Sequence, residues 1–181
     1  MKLMLISDIH GSPSALAKAL VQADTHKADR ILVLGDLLNH GPRNALPNDY
    51  SPQRVAELLN ENRARITCVR GNCDSEVDQM LMDAPILGDY VQVLVDGRQL
   101  FLTHGHLWHP EKLPALNAGD LFCFGHTHIP MIEHRDGVTL FNPGSVTIPK
   151  GGYQASVGWY EGDKLWITDL QGVCFMAGAV I

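Results

Sequence analysis

Five short stretches concentrate His, Asp and Asn: Asp8-Ile-His10, Gly35-Asp36, Gly71-Asn72-Cys73-Asp74, His104-Gly-His106 and Gly125-His126-Thr-His128. Each follows an apolar run of strand length. Taken singly they have ordinary readings: Asp after a strand caps a helix or a turn, His104 is a satisfied structural histidine, GHTH is a polar turn. Asp8 and His10 are two apart, as are His126 and His128, and on an extended chain that spacing sends both side chains to one side. Five strand ends converging on the same donor types outweigh the separate ordinary readings. Three or four imidazoles, two carboxylates and an amide are more donors than one ion takes. They suit two borderline-to-hard divalent ions. Two ions roughly 3.5–4 Å apart clamp an in-line displacement at phosphorus. One carboxylate must then bridge them, and a water between them becomes hydroxide near neutral pH. The chemistry reached is hydrolysis of a phosphate ester.

Such a site needs elements that bring five distant positions together. Lys2–Asp8, Arg30–Gly35 and Ile66–Arg70 are short β-rich runs. Ser12-Pro13 supplies an N-cap and first helical position for a helix over Ser14–Ala23, and Ser51-Pro52 opens another through about Asn62. This βαβαβ rhythm predicts a parallel sheet with right-handed crossovers, binding ligands beyond the carboxyl ends of its strands. In the second half, Val91–Val95 and Gln99–Thr103 flank the hairpin signal Asp96-Gly97. Leu121–Phe124, Met131–His134, Val138–Phe141, Ala155–Tyr160 and Lys164–Leu170 read as further strands of a second, mixed sheet. The apolar run Val173–Ile181 reads as a buried edge strand or a subunit contact, so a homo-oligomer stays open. No repeat or linker divides the chain, and residues 1–181 are expected to form a single domain.

Lys plus Arg total 14 against 20 Asp plus Glu, a net charge of −6, and no basic stripe is visible. A long nucleic acid is therefore not an expected partner. The start, MKLMLISDIH, meets Asp8 too soon for a signal peptide or a membrane span, so no membrane association is expected. Four cysteines without a CxxC pair, two of them inside apolar runs, read as free thiols in a reducing cytoplasm.

The motifs in order, DxH, GD, GN-x-D, HGH and GHTH, resemble the signature of the calcineurin-like metallophosphoesterases, and the short form is similar to their small bacterial phosphodiesterases. The pattern spans residues 8–128. The resemblance implies a four-layer α/β/β/α sandwich of two mixed sheets flanked by helices. It implies one ion held by Asp8, His10, Asp36 and His128 and a second by Asp36, Asn72, His104 and His126, with Asp36 bridging. Mn²⁺ is the expected activating ion, with Zn²⁺, Fe²⁺ or Mg²⁺ as alternatives. Asp74 would orient a neighbouring ligand or the turn.

The sequence departs from the family at Cys73, where most relatives carry a His thought to protonate the leaving oxygen or stabilise the transferring phosphoryl group. Metal ligand, redox residue, nucleophile and small bystander are all readings of this thiol. A thiol beside cations is a poor proton donor, so the expected enzyme lacks its general acid and relies on metal electrophilicity and good leaving groups. Arg43, in the Gly/Pro/Asn loop after Asp36, is a candidate for bidentate phosphate contact, set against a solvated loop arginine. His106 is a candidate substrate contact, and Asn142-Pro-Gly-Ser145 reads as a structural turn beneath the site. The expected function is hydrolysis of a small phosphodiester by metal-bridging hydroxide. The rivals are a phosphomonoesterase or protein phosphatase, and a metal-binding interaction scaffold of the retromer-subunit kind.

Overall fold

The computed structural model describes residues 1–181. Strands β1 (Lys2–Ile6), β2 (Arg30–Val33) and β3 (Ile66–Cys68) pair in parallel, linked by helices α1 (Pro13–Thr25) and α2 (Pro52–Glu61). Pro13 opens α1 because its missing N–H is unused in the first turn, and the Ser12 hydroxyl accepts from the Ala15 amide. Ser51-Pro52 opens α2 in the same way, though the Ser51 side chain makes no cap bond. A one-turn helix α3 (Glu76–Gln79) after β3 was not foreseen; the Ser75/Asp78 capping box holds it.

The remaining strands are β4 (Tyr90–Val95), β5 (Arg98–Thr103), β6 (Leu121–Cys123), β7 (Met131–Arg135), β8 (Val138–Asn142), β9 (Ser156–Glu161), β10 (Lys164–Asp169) and β11 (Cys174–Ala179). Only β4–β8 form the second sheet, in the order β4-β5-β6-β8-β7. The last three strands return to the first sheet, giving β11-β10-β9-β1-β2-β3, with β9 antiparallel to β1. The expectation that the whole second half builds its own sheet is therefore corrected. Strand periodicity tells which residues are extended, and carries no information on which edge they join. β11 is an edge strand as read, but it is largely exposed rather than buried.

Alternation along the strands builds the layers. Leu3, Leu5, Leu32 and Leu34 meet Leu100, Leu102, Cys123 and Phe141 between the sheets. Met4, Ile6, Ile31 and Val33 point the other way, under Leu16, Leu20, Val55 and Leu59 of the helices. On the far side of the second sheet, Phe101, Phe122 and Phe124 are covered by Trp108, Leu113 and Leu116. The sandwich is thus layered as expected, with the irregular 107–118 segment supplying that outer cover. No helix is long and apolar enough to cross a membrane.

Candidate metal centre

The polar residues of the five motifs lie just past the carboxyl ends of strands from both sheets. Asp8 and His10 follow β1, Asp36 follows β2 and Asn72 follows β3; His104 follows β5, and His126 and His128 follow β6. The strands stop before these residues, because the backbone leaves extended geometry there. Asp8 (φ 57°), His10 (φ 49°), Asp36 (φ 55°), His126 (φ 64°) and His128 (φ 60°) all occupy the left-handed region. The expectation that Asp8/His10 and His126/His128 share a side because the chain is extended is corrected. Each pair converges through a turn whose first and third residues have positive φ. Each such non-glycine residue costs on the order of 1 kcal/mol or more and persists where the surroundings over-determine it. Five of the seven candidate donors carry that strain.

Three imidazoles are fixed in one tautomer. Nδ1 of His10 donates to the Asn39 carbonyl (2.8 Å), that of His104 to the Leu34 carbonyl (2.7 Å), and that of His128 to the Ile148 carbonyl. Each Nε2 is thereby turned toward a carboxylate. His128 Nε2 lies 3.2 Å and His10 Nε2 3.7 Å from Asp8 Oδ1. Asp36 Oδ2 lies 3.7 Å from His10 Nε2 and 3.3 Å from His104 Nε2, so one oxygen faces both clusters. His104 Nε2 is also 3.1 Å from Asn72 Oδ1 and 3.3 Å from His126 Nδ1. Asp8, His10 and His128 offer donor atoms all within 4.8 Å of one another, as do Asp8, Asp36 and His104, while Asn72 and His126 reach the cluster through His104. Donors about 2.0–2.2 Å from a common ion stand roughly 3–3.5 Å from one another, and the spacings here run from 3.1 to 3.7 Å. Asp8 Oδ1 and His10 Nε2 are buried without any hydrogen-bond partner. Buried polar atoms facing each other unpaired fit an ion between them. The residues therefore fit divalent cations.

Close packing holds the donors in place. A Cβ on Gly71 would lie 2.0 Å from Asp36 Oδ1, and one on Gly125 1.9 Å from Ser7 Oγ, so both close approaches require glycine. Asp74 is not among the donors. Its buried carboxylate accepts from the backbone amides of Asp36 (2.8 Å), Leu37 (2.8 Å) and Gly71 (2.7 Å), tying the ends of β2 and β3 together. Ser145 Oγ donates to the Asp8 carbonyl (2.9 Å) and Thr147 Oγ1 to the Ile9 carbonyl (2.8 Å), so the Asn142–Ser145 turn does brace the site from beneath.

The charges of the cluster are mutually supporting. Burial opposes ionisation of Asp8, yet the His10 and His128 contacts outweigh it and hold the carboxyl below its usual range. For His104 burial also works against the charge, while Asp36 and Asp8 overcome it and raise the imidazole to about 9. His106 behaves oppositely: burial and the neighbouring His104 and His126 push it down to about 4. It is half-buried, its ring tilted against those of His104 and His126 with centroids 5.4 and 6.3 Å away, and is not among the residues lining the cavity.

Beside the donors lies a cavity of about 330 Å³, lined by Asp36, Asn72, His126 and His128 together with Gly41–Asn44, Cys73 and Lys150. Arg43, the candidate phosphate contact, lines it. Lys150 and Asn44 were not singled out from sequence; a lone Lys before Gly151-Gly152 carries no spacing signal. Cys73 borders both the cavity and the donors, its Sγ within 4.8 Å of ligand atoms of His10 and Asp36. Burial and then the Asp36 charge push the thiol up to about 12. Its sulfur accepts from Asn72 Nδ2 (3.2 Å), which turns Asn72 Oδ1 toward His104. All four cysteines are free, Cys68 and Cys123 buried and Cys174 exposed.

Comparison with known proteins agrees with this geometry. The family profile described as the calcineurin-like phosphoesterase superfamily domain matches residues 1–164. The chain is 52% identical over 181 residues to phosphodiesterase YfcE of Escherichia coli K12, covering all of this chain and 98% of that protein. A solved structure of the Escherichia coli YfcE phosphoesterase superposes with a TM-score of 0.97 at 50% identity, covering the whole of both chains. Vps29 of Entamoeba histolytica complexed with zinc matches with a TM-score of 0.64 at 18% identity over the whole of both chains, which carries the fold alone. On its motifs, its fold and these matches, the chain belongs to the calcineurin-like phosphoesterase superfamily.

Proposed function

We propose that this protein is a dimetal phosphodiesterase that hydrolyses a small phosphodiester. The observation that carries the reading is the single Asp36 oxygen that faces two histidines from different motifs, 3.7 Å from His10 Nε2 and 3.3 Å from His104 Nε2. Asp8, His10, Asp36 and His128 would hold one ion and Asp36, Asn72, His104 and His126 the other. When bound, two divalent ions lower the pKa of water and neutralise charge on the phosphoryl oxygens. Mn²⁺ is the activating ion of choice for O/N donors that include an amide, although affinity alone favours later metals.

The protein's own residues set the geometry of that reaction. Asn39, Leu34 and Ile148 fix three imidazoles through their carbonyls, and Asp74 locks the Asp36 and Gly71 backbones. The polar cavity wall receives the ester arm. Cys73 stands where the resemblance implies a proton-donating His, and a thiol beside cations is a poor proton donor. Departure of the leaving group then depends on its own acidity, which favours activated diesters. The relationship to a phosphodiesterase at 52% identity supports the diester over the monoester. The four free cysteines are consistent with a reducing cytoplasm.

The test compares bis(p-nitrophenyl) phosphate with p-nitrophenyl phosphate, using metal-stripped protein reconstituted with Mn²⁺, Zn²⁺ or Mg²⁺. Metal-dependent turnover of the diester well above the monoester is expected. Equal or greater monoester turnover would make the protein a phosphatase instead.

A further inference from the structure

The cavity beside the candidate donors is also lined by two cations. Arg43 and Lys150 both line it, and Cys73 is its one hydrophobic residue. Neither cation has a carboxylate within ion-pair distance; every Lys or Arg ion pair of the fold is made by other residues. In a chain of net charge −6, two unpaired cations on one small cavity are a specific arrangement.

Both are mounted on loops tied to the donor histidines. The Asn39 carbonyl that accepts from His10 belongs to the loop in which Gly41 N donates to Asn39 Oδ1 (2.8 Å) and Asn44 Nδ2 to the His40 carbonyl (2.9 Å). On the other side, the Lys150 amide donates to the His128 carbonyl (3.1 Å), while His128 Nδ1 donates back to Ile148. The backbones of the two cations are therefore registered to the donors, and their side chains stay exposed.

We propose that Arg43 and Lys150 select phosphodiesters whose second arm carries an additional anionic group, a carboxylate or a phosphate. The inference rests on the phosphodiesterase reading. A phosphodiester brings one negative charge, and the donor wall is where that charge is met. A neutral arm would leave both cations unanswered. No aromatic ring apart from His126 and His128 lines the cavity, so nothing there stacks on a base or aryl arm. Arg43 offers a planar fork to a carboxylate or phosphate and Lys150 a point charge.

The experiment uses p-nitrophenyl phosphodiesters that differ only in the second arm: ethyl, choline, 2-carboxyethyl and 2-phosphoethyl. The Mn²⁺-loaded protein is expected to favour an anionic arm over ethyl by about tenfold or more in kcat/KM, the size of one charge-assisted contact. That ratio should fall toward one in Lys150→Gln and Arg43→Gln. The relative rates of the two anionic arms report whether carboxylate or phosphate is preferred. Calorimetry with the inert pair 3-phosphonopropionate and propylphosphonate reads the same preference without turnover. Equal treatment of all arms, preference for choline, or a preference surviving in both variants would overturn the inference while leaving the phosphodiesterase intact. No hydrolysis of any ester, with the calorimetric preference present and lost in the variants, would sink the phosphodiesterase reading and keep the second anion site. An absent calorimetric preference in the unmodified protein would sink the site itself.

Discussion

At the scale of single residues, the seven candidate donors stood out because their types are costly to place at strand ends without a purpose, and the fold brings them together. What escaped were groups with no side-chain signature: the carbonyls of Leu34, Asn39 and Ile148, and the solitary Lys150. A backbone oxygen is the same atom at every position, so its part in fixing a tautomer appears only in three dimensions. Asp36→Ala should remove both half-sites at once. With several kcal/mol of charge stabilisation withdrawn, diester turnover should fall on the order of a thousandfold; retention of more than a tenth of the activity would contradict a bridging role. At Cys73, His substitution should raise kcat/KM most for alkyl leaving groups, within the roughly hundred- to ten-thousand-fold reach of general acid catalysis. A Brønsted plot over leaving groups checks this, and an unchanged slope would show that position 73 has no part in proton transfer. The metal-free cluster also predicts a pH response. Folding raises the His104 pKa to about 9 from 6.5 because Asp36 and Asp8 outweigh its burial. Its contribution to stability is then fully present below pH 6.5 and lost as the pH rises through about 9. The Tm of metal-free protein should fall from pH 7 to 9, with a shallower slope in His104→Gln. Equal slopes would mean that His104 holds no proton there.

At the scale of elements, helices announced by Ser-Pro and strands announced by apolar runs fall within a few residues of their expected bounds. The misreadings arose where the chain turns. Strands were expected to run into Asp8 and Asp36, but those residues adopt positive φ, which periodicity cannot foresee. The joint between β2 and β3 is the most constrained of these turns. Asp74 bonds three amides there, and Gly71 sits against the Asp36 carboxylate. Gly71→Ala should lower stability by about 1–3 kcal/mol through overpacking and weaken metal binding with it. Thermal melts and metal titration of the variant check both effects. A variant with unchanged affinity would show that the Asp36 carboxylate moves freely.

At the scale of the molecule, the centre straddles two sheets. Asp8, His10, Asp36 and Asn72 come from the first, and His104, His126 and His128 from the second. The apolar layer between the sheets therefore sets the donor spacing as well as the stability. The sequence carried both halves of this layer but not their pairing, since nothing in β9–β11 says that they rejoin β1. Phe141, buried between the sheets, tests the coupling. Phe141→Ala should cost about 3–5 kcal/mol and should also weaken metal binding. Conversely, metal at a thousandfold excess over Kd should stabilise the unmodified protein by about 4 kcal/mol. Differential scanning calorimetry with and without Mn²⁺ reads both.

The measurement that bears most directly on the whole account is a titration of metal-stripped protein with Mn²⁺, following bound metal and bis(p-nitrophenyl) phosphate turnover together. Activity should reach its plateau at two equivalents, with no comparable rise in Asp36→Ala. Full turnover at one equivalent, or without metal, would contradict a centre built on two ions sharing Asp36.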